Sequence, residues 1–246
     1  MPSSNAIHFI PIGTTALSGL FLAVIIWRAI PKRWPPHMVW WGLGVITYGL
    51  GTTLESIIAL RGNSAELTRL WFWAGAILGG CPLATGTVYL LCRRTWAHAQ
   101  TALAVLAIIA GSVLVFASPI RPEALEPHRP GRGALVWMDW TSLKLLVIGI
   151  NIYALVWFVG GAGYSAAYFF RKRANRNRAI GTTLIAAGGL LPAVGGTMAA
   201  KGMVEGLYIG EFVGLILIWV GYEFCVRPSL APRASPPLSS TPSDTC

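Results

Sequence analysis

The sequence predicts an all-α polytopic membrane protein, a bundle of seven transmembrane helices. Three observations predict it. Apolar residues make up 54% of the 246-residue chain and charged residues only 11%, where a soluble domain carries about 25% charged. Seven stretches are each about as long as the roughly 20 apolar residues that a helix needs to cross a bilayer. Their apolar character is continuous rather than alternating in ten-residue segments, which selects helices over a membrane barrel.

The first stretch runs from Ile7 to Ile30, and the residues before it, MPSSNAIHF, have no basic n-region. It therefore reads as a retained helix rather than a cleaved signal peptide. Thr14, Thr15 and Ser18 place hydroxyls in its first half. The second, Met38 to Leu60, starts beside Trp34, Trp40 and Trp41, interfacial anchors, and carries Tyr48, Thr52 and Glu55 at spacings of four and three, on one face. The third, Leu67 to Cys92, has Trp71 and Trp73 as anchors, a Gly75/Gly79 GxxxG step for close packing, and Pro82, which removes a backbone hydrogen bond and predicts a kink. The fourth runs from Trp96 to Ser118.

Between the fourth and fifth stretches, Pro119 to Asp139 contains RPEALEPHRPGRG, rich in proline and glycine and in both charge signs. A solvated loop is the plain reading, and a lid over the bundle mouth is the alternative. The fifth stretch, Trp140 to Phe170, opens with the anchors Trp137 and Trp140 and holds Lys144 and Asn151 seven residues apart, on one face. The sixth, Ala179 to Ala200, has an internal Pro192 that predicts a second kink. The seventh, Gly206 to Val226, carries overlapping GxxxG steps at Gly206, Gly210 and Gly214, with Tyr208 and Glu211 on one face and Tyr222 further along. The transmembrane domain spans 1–226, and the Pro- and Ser-rich tail, 227–246, reads as disordered.

Charge sets the expected orientation. Of 19 Lys and Arg residues, 12 fall in the odd-numbered connections and the tail, including five between Arg171 and Arg178. Positive charge is retained in the cytoplasm, so the N-terminus is expected outside and the C-terminus inside. The net charge of +10 reflects these juxtamembrane turns and anionic lipid rather than nucleic acid. Cys81, Cys92, Cys225 and Cys246 do not form a disulfide framework, and His8, His37, His98 and His128 have no ligand-like spacing, so neither metal nor haem is implied. No cofactor motif is present.

Glu55, Lys144 and Glu211 are the clue to function. Glu55 lies six residues before Arg61 and Glu211 six after Glu205, each about 9 Å below the outer boundary, and Lys144 is five residues past Asp139. Two acids and one base are thus expected in one layer, joined by Thr52, Tyr208 and Asn151 in an outward-facing polar pocket. Charges at this depth are costly and face the protein interior or water. One lysine does not neutralise two acids, so a proton, a cation or a ligand amine is implied. An interhelical ion pair that merely fixes the bundle is the plainer alternative.

The segments WFWAGAILGGCPLATGTVYLLCRR, GGAGYSAAYFFRKRANRNRAIGTTLIAAGGLLPAVGGTMAAKG and YIGEFVGLILIWVGY resemble an uncharacterised family of bacterial seven-helix membrane proteins. The resemblance implies the same fold and a bacterial inner membrane. More distantly, the N-terminal half is similar in pattern to the seven-helix sensor modules of bacterial histidine kinases. A rhodopsin is argued against, because retinal there is held by a lysine in the last helix and no lysine follows Lys201. ALRG at 59–62 and AAKG at 199–202 raise the prospect of a parallel internal duplication, a transporter habit.

The expectation is a protein that binds a small solute or ion from the outer face, with transport as the outcome. In that scheme Glu211 responds to a proton or cation, Lys144 is its counter-charge or an anchor for a ligand carboxylate, and Glu55 is the second acid. The alternative is a receptor or accessory subunit that signals to a membrane-protein partner through the Arg171 to Arg178 loop. An enzyme is third, since no nucleophile with an adjacent base and no metal set accompanies the carboxylates.

Overall fold

A computed structural model of the chain describes residues 9–131, 133–172 and 175–227. The tail beyond 227, the junction at 173–174, and His8 lie outside the described residues. The described residues are helical apart from turns and short connections, and their one extended pairing is an isolated antiparallel bridge between Ile120 and Trp137.

Seven segments are long and apolar enough to cross a membrane: Ile10–Lys32, Pro36–Arg61, Ala65–Leu91, Arg94–Ala117, Trp140–Lys172, Arg176–Ala200 and Val204–Val226. Each coincides with one of the seven expected stretches. Helix α1, Ile10–Ala29, has Pro11 in its first turn, where a missing N–H costs nothing. Its buried stripe is Thr14, Ser18, Phe21, Ile25 and Ala29, polar in the first half and apolar in the second. Helix α2, Pro36–Arg61, is buried in the same sense, through Met38, Gly42 and Val45 near its start and Thr52, Glu55 and Ser56 near its end. α1 and α2 pack side by side, so the bundle has an apolar half and a polar half.

The third span departs from a simple kink. Helix α3, Ala65–Phe72, is capped by the Ser64 side chain accepting from the Leu67 N–H at 3.1 Å. It passes into a π-helical segment, Trp73–Leu78, and stops at Gly79 and Gly80 before α4, Cys81–Leu91, begins. Pro82 sits in the first turn of α4, so it starts a helix instead of bending one. Gly79 is required by this break, because a Cβ there would run into the Gly75 carbonyl oxygen. The GxxxG step read as a packing motif therefore serves a turn, and Gly75 has nothing within 4 Å of a Cβ position.

Helix α5, Arg94–Ala117, forms the fourth span, and its last carbonyls are capped from another helix. The Arg69 guanidinium donates to Val115, Phe116 and Ser118 at 2.6, 2.9 and 2.9 Å. After a short helix α6, Gly133–Val136, the fifth span is built from α7, Trp140–Ala154, a second π-helical segment, Leu155–Gly160, and α8, Gly161–Lys172.

The sixth span is one helix, α9, Arg176–Ala200, with Pro192 inside it and no break. The seventh is α10, Val204–Val226. These two pack through glycine. A Cβ on Gly188 would lie 2.6 Å from the Gly214 carbonyl oxygen, and one on Gly214 would lie 2.6 Å from the Gly188 oxygen. Gly181 and Gly221 oppose each other at 2.5 Å in the same reciprocal way, and Gly210 meets the Leu191 oxygen at 2.8 Å. The expected role of Gly210 and Gly214 is thus realised, with Gly181, Gly188 and Gly195 as partners on α9.

ALRG and AAKG share a local cause. Gly62 ends α2 at φ +96° and Gly202 follows α9 at φ +93°, a region that side chains other than glycine's rarely adopt. Helix termination accounts for the matched glycines without a duplication.

Candidate functional site

The end of the bundle holding Gly62, the 118–139 connection and Gly202 is here termed the lid face; the opposite end, with the arginine-rich connections, is the basic face. The described residues of 118–139 fold onto the helices. Arg121 N–H donates to the Val136 oxygen at 2.9 Å and Met138 N–H to the Pro119 oxygen at 3.1 Å, closing the loop at its neck. Trp137 is buried against Phe72, ring centroids 5.3 Å apart, with the Arg69 guanidinium 5.5 Å above its ring. At the tip, Asn63 N–H donates to the Pro127 oxygen at 2.7 Å and the Asn63 amide to the Arg129 oxygen at 2.9 Å. Arg129 pairs with Glu205 of α10 at 2.8 Å. The described residues of the segment form a docked lid, the alternative reading, and the plain expectation of a solvated loop is corrected by these contacts.

Beneath it lies the polar layer. Glu55, on α2, is 1% exposed. Its Oε1 accepts from the Trp71 indole N–H at 2.8 Å. Glu211, on α10, brings its carboxyl close to the Glu55 carboxyl. Both acids stand at one level, Glu55 on α2 and Glu211 on α10, helices that each pack against α1. The Oε2 atoms of both are enclosed and have no partner among the described residues.

Hydroxyls surround the pair. Tyr48 donates to the backbone oxygen of Glu211 at 2.8 Å, tying α2 to α10. Thr52 and Thr15 share a hydrogen bond of 2.9 Å between α2 and α1. Thr14 and Ser18 bond back to their own helix at 3.1 and 2.8 Å, which satisfies them without a partner helix. Tyr208, one turn from Glu211, is 1% exposed, and its hydroxyl has no partner among the described residues. Below the layer the packed apolar side chains of Phe21, Ile25, Trp41, Val45, Leu83 and Ile218, among others, close the bundle toward the basic face.

Four of the six expected site residues, Glu55, Glu211, Thr52 and Tyr208, come together. Lys144 does not join them. Its neighbour Leu143 is buried in the core formed by the third, fourth and fifth spans and the lid, while Lys144 itself is exposed and makes no ion pair among the described residues. Spacing from a helix end gives depth but not direction around the axis, and successive residues differ by about 100°. Asn151 also belongs elsewhere, donating to the Ala76 oxygen at 3.2 Å and the Val147 oxygen at 2.8 Å. Ala76 lies in the third span's π segment, where the wider turn leaves carbonyls open to side chains. Asn151 thus fixes the fifth span to the irregular part of the third.

Trp71 was legible only as an interfacial anchor, although an indole N–H near the level of a buried acid is a natural donor to it. Arg129 and Glu205 gave no signal at all, since pairing across 76 residues depends on the lid's path. A second ion pair, Arg28 with Glu223 at 2.8 Å, joins α1 to α10 near the basic face. No group of three metal-binding side chains occurs among the described residues.

Set beside known proteins, the chain matches no family model, no curated protein and no solved structure.

Proposed function

We propose that this multi-pass membrane protein binds a small solute or ion in the polar layer beneath the lid, and that transport is the outcome. The lid face is assigned to the outside and the basic face to the cytoplasm of a bacterial inner membrane, on the excess of Lys and Arg in the odd-numbered connections. One observation carries the reading. Two carboxyls occupy one enclosed site with no basic side chain among their contacts, and each keeps an oxygen unpartnered.

A structural charge network would pair each acid with a base, as Arg28 pairs with Glu223. Two adjacent carboxyls instead need a proton or a cation between them. Glu211 is the responsive group, on a helix that also holds the lid, and Glu55 is the second acid, oriented by Trp71. Lys144 has no part in this mechanism. The mobile element is the third span, whose break at Gly79 and Gly80 separates α3, which carries Trp71, from α4. α9 and α10, locked by glycine contacts, move as one unit if they move.

The test is solute- and ion-dependent flux in vesicles holding only this protein, comparing wild type with Glu211→Gln. The expected result is flux in wild type and its loss in a variant that folds normally. Full flux in Glu211→Gln would overturn the assignment, and absence of flux with a stably copurifying membrane partner would favour an accessory subunit.

A further inference from the structure

The basic face carries an unbalanced charge. Of the acids among the described residues only Glu223 lies at that end, and Arg28 already holds it at 2.8 Å. Lys32, Arg33, Arg93, Arg94 and Arg171 make no ion pair among the described residues. At one place this excess borders a cavity. Cys92, Arg93, Trp96, Gln100 and Trp157 line a groove of about 260 Å³ where the third span ends, α5 begins and the second π segment of the fifth span passes. Trp96, Gln100 and Leu103 follow at spacings of four and three along α5 and so form one stripe. Trp96 is 65% and Leu103 63% exposed, which turns that stripe to the bilayer.

The lining residues suit successive depths of a phospholipid. Arg93 directly precedes α5, at the level of the headgroups, and a guanidinium binds a phosphate through two parallel N–H groups. Tryptophan favours the same level, with an apolar ring and one polar N–H. Gln100 stands seven residues further, about 10 Å in from Arg93. Its amide has no hydrogen-bond partner among the described residues, at a depth where water is scarce and an acyl ester carbonyl is the acceptor that a lipid brings.

We infer that this groove binds an anionic phospholipid of the leaflet at the basic face, with its phosphate on Arg93, its ester region at Gln100 beside the two indoles, and its chains along the α5 stripe. Basic pockets between membrane helices recognise such headgroups. A net negative headgroup is preferred to a zwitterionic one, because an ammonium would meet Arg93 and Arg94 with no carboxylate to balance it. The lipid joins the third, fourth and fifth spans, and α5, the least buried of the seven, gains most from it. The site is independent of the acid pair beneath the lid.

The test is thermal unfolding of the delipidated protein in neutral detergent. Phosphatidylglycerol is expected to raise the melting temperature saturably, as selective binding to the native state requires, while phosphatidylcholine and inorganic phosphate do not. Arg93→Gln is expected to need at least about tenfold more phosphatidylglycerol for half the shift, the loss of a charge-assisted contact. Arg171→Gln removes a basic-face charge outside the groove and is expected to behave as wild type. Equal weakening in the two variants would reveal diffuse attraction alone and overturn the site; an equal shift with phosphatidylcholine or with phosphate would overturn its choice of an anionic lipid. Alkylation of Cys92 in the wild-type protein, resolved by peptide mass spectrometry, reads occupancy without any variant. At ten times the half-saturating concentration, phosphatidylglycerol is expected to slow it about tenfold and to leave Cys225, outside the groove, unaffected. An unprotected Cys92 would overturn the site.

Discussion

Helix α10 has two sides built on opposite rules. Against α9, it meets its neighbour backbone to backbone through Gly210, Gly214 and Gly221, with no room for a methyl group. Against α1 and α2 it presents Tyr208 and Glu211, whose polar ends are enclosed and incompletely partnered. The glycine side gains dispersion contacts and gives up nothing polar, whereas the acid side holds groups that cost stability where they stand. The first side makes the second tolerable. A helix locked along its length presents an awkward side chain at a fixed position, which a loosely packed helix would relieve by rotating.

The largest expected effect breaks the glycine side. Gly188→Leu forces side-chain atoms onto the Gly214 carbonyl and the Ile218 backbone and is expected to lower stability by about 3 kcal/mol or more. Gly196→Leu, on the same helix with nothing within 4 Å of its Cβ position, is expected to be silent in the same detergent melt. Equal melting of the two would show that the seam is not what fixes α10.

Next is the indole donor to the acid side. Trp71→Phe keeps the ring packing but leaves Glu55 Oε1 without its 2.8 Å partner, at an expected cost of about 1–3 kcal/mol. Trp71→Phe in a Glu55→Gln background separates the hydrogen bond from the packing, because the cost should shrink if the bond to the carboxyl is its source.

A smaller effect of opposite sign sharpens the contrast. Glu211→Gln gives the pair an amide that can donate to Glu55, so thermal stability is expected to rise by about 1 kcal/mol, the trade of stability for activity typical of exchange sites. A clear loss of stability would instead favour a structural role for the acids. The smallest change is expected from Arg129→Gln, below about 1 kcal/mol because the ion pair is partly solvated, and visible mainly as faster proteolysis of the lid.

The seven spans were legible because hydropathy and length report directly on a bilayer's thickness. Depth was legible too, which is why Glu55 and Glu211 were expected at one level. Direction around a helix was not. Lys144 was placed in the layer by counting residues, and it turns away because Leu143 and Ile150 claim the packed face of α7. Both π segments were invisible to a periodicity argument, since a single widened turn hardly disturbs the apolar pattern of a long span. The lid's docking was unreadable for another reason. Its anchors, Asn63 and Glu205, are ordinary polar residues at helix ends, and only the chain path brings them to Pro127 and Arg129.

The π segment at Trp73–Leu78 has a consequence for how this gene tolerates change. A π turn holds one residue more than an α turn, so removal of one codon from this stretch would close it into regular helix and leave the apolar character of the span intact. The residues on either side would keep their facing, because the widened turn already takes up the extra residue within one turn's rotation. Trp71 would still face Glu55 and Arg69 the end of α5, and the loss would fall on the Ala76 carbonyl that the turn opens to Asn151. This stretch is therefore expected to pass a one-codon loss that a purely α-helical stretch of the spans, where it turns the two sides by about 100° against each other, would not.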